Sequence, residues 1–168
     1  MAKRVRRKGF NAVSFRDLAS DVSVKSASVH YHFAAKEDLG VALVIRYGER
    51  FIAALDDATH TAASPAAKLG AFCGVYRRAL TQSDAICLCG MLGAETCGLP
   101  EPVAAAVRTF FEANIAWLAD VLSQFPARTS PPGDASAMVA GLQGAMMLAT
   151  SLGDVGIFDA TVERLLSP

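Results

Sequence analysis

Charge is scarce in this chain: only 19% of its 168 residues are Asp, Glu, Lys or Arg, and the formal net charge is zero. Hydrophobic residues make up 52%, so the composition excludes an intrinsically disordered chain and is sufficient for a full core. The length suits one large domain, or one small and one medium domain. The first ten residues lack the apolar stretch of a secretory signal. We therefore expect a folded protein in the cytoplasm.

The few charges are unevenly distributed along the chain. Residues 1–50 contain ten Lys and Arg against five Asp and Glu, whereas residues 51–168 contain six against eleven. The N-terminal segment therefore carries +5 and the remainder carries −5. A basic N-terminal segment on an acidic body is typical of a protein that contacts phosphate groups locally and does not bind polyanions non-specifically over its whole surface.

Residues that bind metals or catalyse reactions are also rare, with three histidines and four cysteines in the chain. Cys87 and Cys89 are two positions apart, which on a helix points their thiols about 200° away from each other. A cytoplasmic location disfavours disulfides. No paired carboxylates, phosphate-binding loop or metal-ligand spacing accompanies the histidines. We expect no enzyme activity, no metal site and no cofactor.

A charge-free window at residues 135–153 approaches the length of a membrane span. It contains three glycines and several polar residues, among them Gln143 and Thr150, instead of a run of Leu and Ile. This composition favours a buried or interfacial helix, and we expect no membrane association.

Apolar residues recur every three to four positions along almost the whole chain, and alternating strand patterns of useful length are missing. The expected fold class is therefore all-α. On the long helix after residue 36, Leu39, Ala42 and Ile45 are expected on the inner face. Prolines and a glycine within residues 126–133 predict a loop, with Asp134 capping the helix that follows. The predicted helices cover residues 15–22, 24–33, 36–61, 65–80, 86–96, 102–125, 134–152 and 157–166.

Residues 14–33 have the pattern of two short helices joined by a tight turn. Ser14 is a suitable N-cap, and Asp17, three residues later, is a variant of the capping-box acid. After the turn at residues 21–23, the second helix presents polar side chains outwards, while Val29 and Phe33 face inwards. Such side chains can reach base edges or phosphates, so the pattern predicts a DNA-binding helix-turn-helix. The outer side chains are Lys25, Ser26, Ser28, Tyr31 and His32.

These residues resemble the TetR family of bacterial transcriptional regulators. The family signature runs from a Lys-Gly-Phe lead, through helix, turn and helix, to a Lys-Glu-x-Leu start of the next helix. Here the lead is Lys8-Gly9-Phe10 and the helix start is Lys36-Glu37-Asp38-Leu39. Between them, residues 14–19, 24–26 and 29–33 stand in matching positions. The resemblance extends continuously over residues 8–45.

The resemblance implies an all-α protein in two parts. A helix-turn-helix head at residues 1–45 would be joined by a long helix to a ligand-binding and dimerisation body at residues 46–168. The implied function is a ligand-responsive regulator, most simply a repressor. It would bind a palindromic operator in double-stranded DNA as a homodimer and be released by a small molecule.

The resemblance also implies which residues contact DNA. The recognition helix at residues 25–32 would lie in the major groove. Its residues nearest the bases would be Lys25, Ser26, Ala27 and Tyr31, with Ser28 on the same outer face. The residues that match phosphate-contacting positions are Ser14, His30, His32 and Lys36. For His30, simple packing against its neighbours is the alternative.

The chain departs from the family pattern in two places. Ser23 stands where the family usually has Gly in the turn, so a strained left-handed residue is expected there. The first helix is reduced to residues 1–8, with Arg4 and Val5 in positions that are usually both apolar. This favours a missing N-terminal piece, and a less stable DNA-binding head is the alternative. The basic residues of this segment form either an arm on the DNA backbone or a solvated tail.

In the body, residues 135–152 and 157–166 are expected to form the homodimer interface, because Gly141, Gly144 and neighbouring alanines allow backbones to approach closely. Burial within one subunit is the alternative. The helices between residues 45 and 125 are expected to enclose a pocket for an unknown small-molecule effector of apolar or aromatic character. The predicted pocket residues are Phe72, Tyr76, Met91, Glu95, Phe110, Asn114, Trp117, Gln143 and Met147.

Two other functions are compatible with the sequence. A shortened head could have lost its affinity for DNA, which would leave a DNA-free helical adaptor or effector-binding protein. Alternatively, Cys87, Cys89 and Cys97 permit a thiol-based sensor of oxidants or electrophiles. No Lys, Arg or His lies close to them in sequence to activate a thiol, so packed thiols are the simpler interpretation.

Overall fold

The computed structural model describes residues 1–83, 85–126 and 130–167. All regular secondary structure in these residues is helical, which confirms the all-α prediction. A 3₁₀ turn at Thr96–Gly98 separates α6 from α7. The helices are α1 (Ala2–Lys8), α2 (Phe15–Asp21), α3 (Ser26–His32), α4 (Lys36–Thr59), α5 (Pro65–Ser83), α6 (Leu88–Ala94), α7 (Glu101–Leu122), α8 (Pro131–Leu152) and α9 (Gly156–Leu166).

Most helices lie where the apolar periodicity predicts them, but several ends differ. The second helix of the helix-turn-helix begins at Ser26 with Lys25 as its N-cap, two residues later than predicted. At the end of α7, the N–H of Gln124 donates to the carbonyl of Val121 (3.2 Å), three residues back. This tighter bonding pattern ends the helix at Leu122 instead of residue 125.

The start of α8 differs most from its prediction. The helix begins at Pro131 inside the predicted loop, and Ser130, not Asp134, stands in the N-cap position. Proline suits the first helical positions because the amides there have no partner within the helix and its φ angle is already helical. Residues 127–129 of the predicted loop lie outside the described residues.

The buried face of α4 also differs from the prediction. Val44, Phe51 and Leu55 are buried, whereas Ile45, predicted on the inner face, is 53% exposed. Consecutive residues on a helix are rotated by about 100°, so a core stripe through residue 44 leaves residue 45 pointing away. The helical period of the apolar residues was predicted correctly, but the assignment of Ile45 to the inner face was wrong.

The chain folds into two compact units. Unit 1 contains Met1–Glu49 and Leu88–Phe110, and unit 2 contains Arg50–Cys87 and Phe111–Pro168. The division therefore runs through α4 and α7. The division predicted between residues 45 and 46 placed α6 with the body, whereas α6 belongs to the compact unit that contains the helix-turn-helix.

Unit 1 is built mainly from short helices. Helices α1, α2, α3 and α6 have seven residues each, a length at which an isolated helix is unstable in water. They depend on packing: α2 packs against α3, and α1 against α6. The buried apolar residues are Val5, Phe10, Val13, Leu18, Ala19, Val44, Leu88, Cys89, Leu92, Val103, Ala104, Val107 and Phe110.

Unit 2 is built from long helices around an aromatic cluster. Helix α8 packs along α9, and both contact α5. Phe72 stacks on Trp117 with 5.4 Å between ring centroids, and the ring of Phe51 meets Tyr76 edge-on at 5.1 Å. The Tyr76 hydroxyl and the Asn114 side-chain oxygen lie 3.3 Å apart in a buried hydrogen bond. This bond satisfies polar atoms that would otherwise destabilise the core.

Helix α8 covers most of the charge-free window. Among the described helices, it is the one that is long and apolar enough to cross a membrane by length and composition. Seven of its residues are buried in the protein, from Ala135 to Ala149. Core helices of folded proteins have the same composition, so this property by itself assigns no membrane.

Candidate nucleic-acid interface

The helix-turn-helix begins with a capping box at Ser14. The Ser14 hydroxyl oxygen accepts a hydrogen bond from the N–H of Asp17 (3.2 Å), and the Asp17 carboxylate accepts from the N–H of Ser14 (2.9 Å). The hydroxyl also donates to this carboxylate (2.6 Å). Hydrogen bonds from Ser14 are the main reason why the pKa of Asp17 is lowered. The predicted capping box is confirmed, and it fixes where α2 starts.

The turn between α2 and α3 passes through Ser23 with a φ of 55°. Ser23 is the one non-glycine residue with a positive φ in the described part of the chain. The predicted left-handed serine is therefore confirmed, at a conformational cost of about 1–2 kcal/mol. The N–H of Val24 donates to the carbonyl of Ala19 (2.9 Å), which closes the turn.

Helix α3 has no buried residue. Tyr31 is 87% exposed, and the other predicted DNA-contacting residues of α3 are exposed or half-buried. Val29 and Phe33, predicted to face inwards, are half-buried. The helix thus lies on the surface of unit 1 with its polar side chains and one phenol ring accessible.

A cleft beside α3 brings four of the predicted DNA-contacting residues together. This cleft, named the polar cleft for its Asn, Ser, Arg, His and Lys side chains, has a volume of about 570 Å³ and is lined by residues 11–16, Ser26, His30 and residues 34–36. It therefore contains Ser14, Ser26, His30 and Lys36. It also contains Arg16, an exposed cation that no sequence pattern assigned to DNA binding.

A second cleft lies along a different side of α3. This apolar cleft, of about 380 Å³, contains Ser28 and His32. The predicted residues Lys25, Ala27 and Tyr31 line neither cleft. The apolar cleft is lined by Met1, Leu18, Val22, Val24, Ser28, Val29, His32, Phe33 and Leu39.

Two cleft residues have aromatic partners. The ring of His30 meets the ring of Phe15 edge-on, with centroids 4.4 Å apart, while His30 stays exposed. Lys36 lies with its ammonium 4.6 Å from the centre of the Phe10 ring and donates to the carbonyl of Asn11 (3.3 Å). Partial burial lowers the pKa of Lys36, and the nearby Glu95 carboxylate opposes this shift. Both side chains are thus held against aromatic rings at the cleft wall.

The first helix is attached to α2 by an ion pair. The Arg4 Nε donates to a carboxylate oxygen of Asp21 (2.8 Å), a second guanidinium nitrogen contacts the other oxygen, and Asp17 lies 3.5 Å from a third. Arg4 chiefly accounts for the lowered pKa of Asp21. Val5, the next residue, is fully buried. Residues 2–8 therefore form a packed helix, and Arg4 pairs with Asp21 instead of belonging to an arm on the DNA backbone or to a solvated tail.

The nine predicted effector-binding residues are distributed over both units. Met91, Glu95 and Phe110 belong to unit 1, and the other six belong to unit 2. Phe72, Tyr76 and Asn114 are buried, and Met147 is 49% exposed. In Gln143 the side-chain nitrogen is buried without a hydrogen-bond partner.

The cysteines are mostly inaccessible. Cys73, Cys87 and Cys89 are buried, and Cys97 is exposed. Burial raises the pKa of the Cys73 thiol to about 11, which disfavours the reactive thiolate. In the described part of the chain, no three His, Cys, Asp or Glu side chains come together to hold a metal ion.

The helices predicted to form the dimer interface expose large apolar side chains. On α8, Met147 and Leu148 are about half exposed and Leu152 is 67% exposed, and Leu166 of α9 is also exposed. A Cβ atom at Gly144 would meet no atom within 4 Å. One side of α8 is therefore packed in unit 2, and the other is apolar and uncovered in the single chain.

The chain is similar to known TetR-family regulators in sequence and in fold. Residues 4–43 match the family model described as bacterial regulatory proteins, tetR family. No curated protein matches the chain in sequence. A TetR transcriptional regulator from Legionella pneumophila has 29% identity and a TM-score of 0.92, covering 98% of this chain and 90% of its own. A TetR-family regulator from Agrobacterium tumefaciens has 28% identity, with the same TM-score and coverage.

A third solved structure, the regulatory protein TetR from Rhodobacter sphaeroides, has 23% identity and a TM-score of 0.89, covering 98% of this chain and 92% of its own. At this identity the likeness shows the fold alone. The two structures above 25% identity and the family match over the helix-turn-helix carry more information. Together they show a TetR-family match over residues 4–43 and a TetR-family fold over nearly the whole chain, which supports a DNA-binding transcriptional regulator of this kind.

Proposed function

We propose that this protein is a cytoplasmic repressor that binds a palindromic operator in double-stranded DNA as a homodimer and is released by a small molecule. The observation that carries the proposal is the polar cleft beside an exposed α3. Ser14, His30 and Lys36 line this cleft, so hydrogen-bonding side chains and a cation from three segments of the chain converge where a DNA backbone would pass.

We assign two kinds of contact to unit 1. Residues on the exposed face of α3 read base edges in the major groove, and Tyr31 supplies an apolar and hydrogen-bonding contact there. The residues of this first kind are Lys25, Ser26, Ala27, Ser28 and Tyr31. The second kind, contact with phosphates, comes from Ser14, His30 and Lys36 in the polar cleft, with Arg16 added from the structure, and from His32 beside the other cleft.

The homodimer is proposed to form through residues 135–166. The exposed side of α8 carries Met147, Leu148 and Leu152, and contiguous apolar surface of this kind marks protein interfaces. A symmetric dimer would place two copies of α3 on two half-sites, as palindromic operators require.

The effector is proposed to bind in unit 2 beside the aromatic cluster of Phe72, Tyr76 and Trp117. An apolar or aromatic compound suits such a wall. The unpartnered Gln143 nitrogen favours an effector that carries a hydrogen-bond acceptor, because a buried donor gains most when it finds a partner. Met91, Glu95 and Phe110 stay predictions for this role.

A salt titration tests DNA binding. The wild-type chain is added to a fluorescent duplex of mixed sequence, and affinity is measured by anisotropy over a range of salt concentrations. We expect the logarithm of affinity to fall linearly with the logarithm of salt concentration, with a slope of about −0.9 per phosphate contacted. Lys36→Ala should reduce the size of this slope by about one and weaken binding to all sequences similarly.

Lys68→Ala is the matched control, since Lys68 lies on α5 in unit 2, outside both clefts. It should leave affinity and slope unchanged. Failure of the wild-type dimer to bind the duplex even at low salt would overturn the proposal and favour a DNA-free adaptor. The burial of three thiols does not favour a thiol-based sensor.

A further inference from the structure

The loop between α1 and α2 is held by residues from a distant part of the sequence. The Glu95 carboxylate, just after α6, accepts a hydrogen bond from the N–H of Phe10 (2.7 Å). Three residues later, the carbonyl of Gly98 accepts one from the Asn11 side-chain nitrogen (3.0 Å). Both contacts lie within unit 1, and they attach two consecutive loop residues to the segment that follows α6.

Gly9 makes room for the carboxylate. Its φ is +80°, a conformation that residues with a side chain rarely adopt. A Cβ atom at this position would lie 1.9 Å from a Glu95 carboxylate oxygen, which is far inside van der Waals contact. The glycine in the Lys-Gly-Phe lead thus allows Glu95 to approach the loop backbone closely.

The same loop holds Lys36 from the other direction. The Lys36 ammonium lies over the Phe10 ring and donates to the Asn11 carbonyl, and Phe10 is buried. The Glu95 carboxylate also attracts the Lys36 ammonium electrostatically. The position of the Lys36 charge therefore depends on two loop residues that the segment from Glu95 to Gly98 keeps in place.

This loop forms one wall of the polar cleft. Asn11, Ser14 and Lys36 all line it, so a shift of the loop would move two of the proposed phosphate contacts together. A carboxylate would repel a phosphate if it faced the DNA directly. Glu95 does not line the polar cleft and acts on it through the Phe10 amide.

We propose that Glu95 is a positioning residue for DNA binding: its carboxylate fixes the Gly9–Asn11 loop and thereby holds Lys36 and Ser14 in the geometry that contacts phosphates. This inference rests on the proposed DNA-binding function. It gives Glu95 a role in the DNA-binding unit that differs from the effector contact expected from the sequence.

Two substitutions of Glu95 test the inference with the full-length chain. Glu95→Ala removes the acceptor and should weaken binding to a fluorescent mixed-sequence duplex about tenfold, since a hydrogen bond to a charged group is lost. Glu95→Gln keeps an oxygen that can accept from the Phe10 amide and should bind within about twofold of wild type. Glu112→Ala, an exposed residue of α7 in unit 2, is the control and should bind like wild type.

The salt dependence separates positioning from a general loss of folding. Glu95→Ala should also reduce the slope of affinity against salt by about one, because the Lys36 contact is lost. A merely structural role would lower the thermal midpoint and leave the slope per folded molecule unchanged. We expect Glu95→Gln to keep the affinity and the slope close to those of wild type and Glu95→Ala to lose both, with similar thermal midpoints for the two variants.

Each other outcome has a definite meaning. Wild-type binding together with unchanged affinity of Glu95→Ala would overturn the role of Glu95 and leave the proposed function intact. Absence of wild-type binding would overturn both. If Glu95→Ala does not fold, hydrogen exchange in the wild-type chain decides: the Phe10 amide should exchange slowly, and rapid exchange would overturn the inference.

Discussion

The two units are stabilised in different ways. In unit 1, four helices have only seven residues each, and polar contacts hold them: the capping box at Ser14, the Arg4–Asp21 ion pair and the Glu95–Phe10 hydrogen bond. In unit 2, helices of 19 and 22 residues pack through fully buried rings and aliphatic side chains. Each short helix buries little apolar area, so the arrangement of these helices also depends on specific hydrogen bonds. Helix α3 stays exposed on the surface of unit 1.

The largest expected effect comes from removing an aromatic ring in unit 2. Phe72 is fully buried and stacked on Trp117, so Phe72→Ala should lower the free energy of unfolding by about 3–5 kcal/mol in urea titrations. Tyr31→Ala is the matched change in unit 1, where the ring is 87% exposed. It should change stability by less than about 0.5 kcal/mol and weaken DNA binding. Equal losses of stability would remove the contrast between the units.

The uncovered side of α8 is tested by Gly144→Glu. A Cβ atom meets nothing there in the single chain, so the monomer tolerates the change. At a close dimer interface, however, an unpaired buried charge should weaken association about 100-fold or more. Sedimentation at micromolar concentration measures the mass. Gly70→Glu on α5, also in open space, is the control and should remain dimeric; a dimeric Gly144→Glu would contradict the assigned interface.

Replacing serine by glycine should stabilise the turn of unit 1 and destabilise a helix. Ser23 has a positive φ, so Ser23→Gly should raise the free energy of unfolding by roughly 0.5–1 kcal/mol. Ser20→Gly, three residues earlier and inside α2, should lower it by a similar amount. Changes of the same sign in both variants, measured by thermal unfolding, would mean that the turn is not strained.

The smallest effect concerns the acid dependence of unit 1. The pKa of Asp21 is lowered in the folded chain, chiefly by its hydrogen bond with Arg4. This contribution is therefore present above the ordinary aspartate pKa of about 4 and is lost as pH falls through the lowered value. Protection of the α1 amides against hydrogen exchange, taken relative to their intrinsic exchange rates at each pH, should fall on acidification, and Asp21→Asn should remove most of that dependence.

The corresponding control in unit 2 is Asp159→Asn. Asp159 pairs with Arg77 at 2.7 Å, but the neighbouring Phe158 is fully buried and anchors α9 by apolar contact. Protection of the α9 amides should therefore change less with pH than protection of the α1 amides. An equal change would show that both units rely on ion pairs to the same extent.

The sequence predicted what is encoded locally. The capping box depends on two residues three positions apart, and the helices follow from apolar periodicity. The left-handed Ser23 was expected from the family resemblance, since the family usually has Gly at that position. Ile45 was misplaced because a stripe one residue away fits the same period. The role of Glu95 could not be foreseen, since its partner Phe10 is 85 positions away and no local pattern indicates such a contact. Arg16 was missed because an exposed cation on a short helix is usually only solvated, and nothing in the local sequence distinguishes this one.

The stacking of Trp117 on Phe72 has a practical consequence. Trp117 is the single tryptophan of the chain, and it lies in unit 2. Intrinsic tryptophan emission therefore reports the melting of the aromatic cluster and does not respond directly to the helix-turn-helix. Paired with a signal from the backbone amides of α1 to α3, it allows the unfolding of the two units to be followed separately in one sample, without attaching a dye.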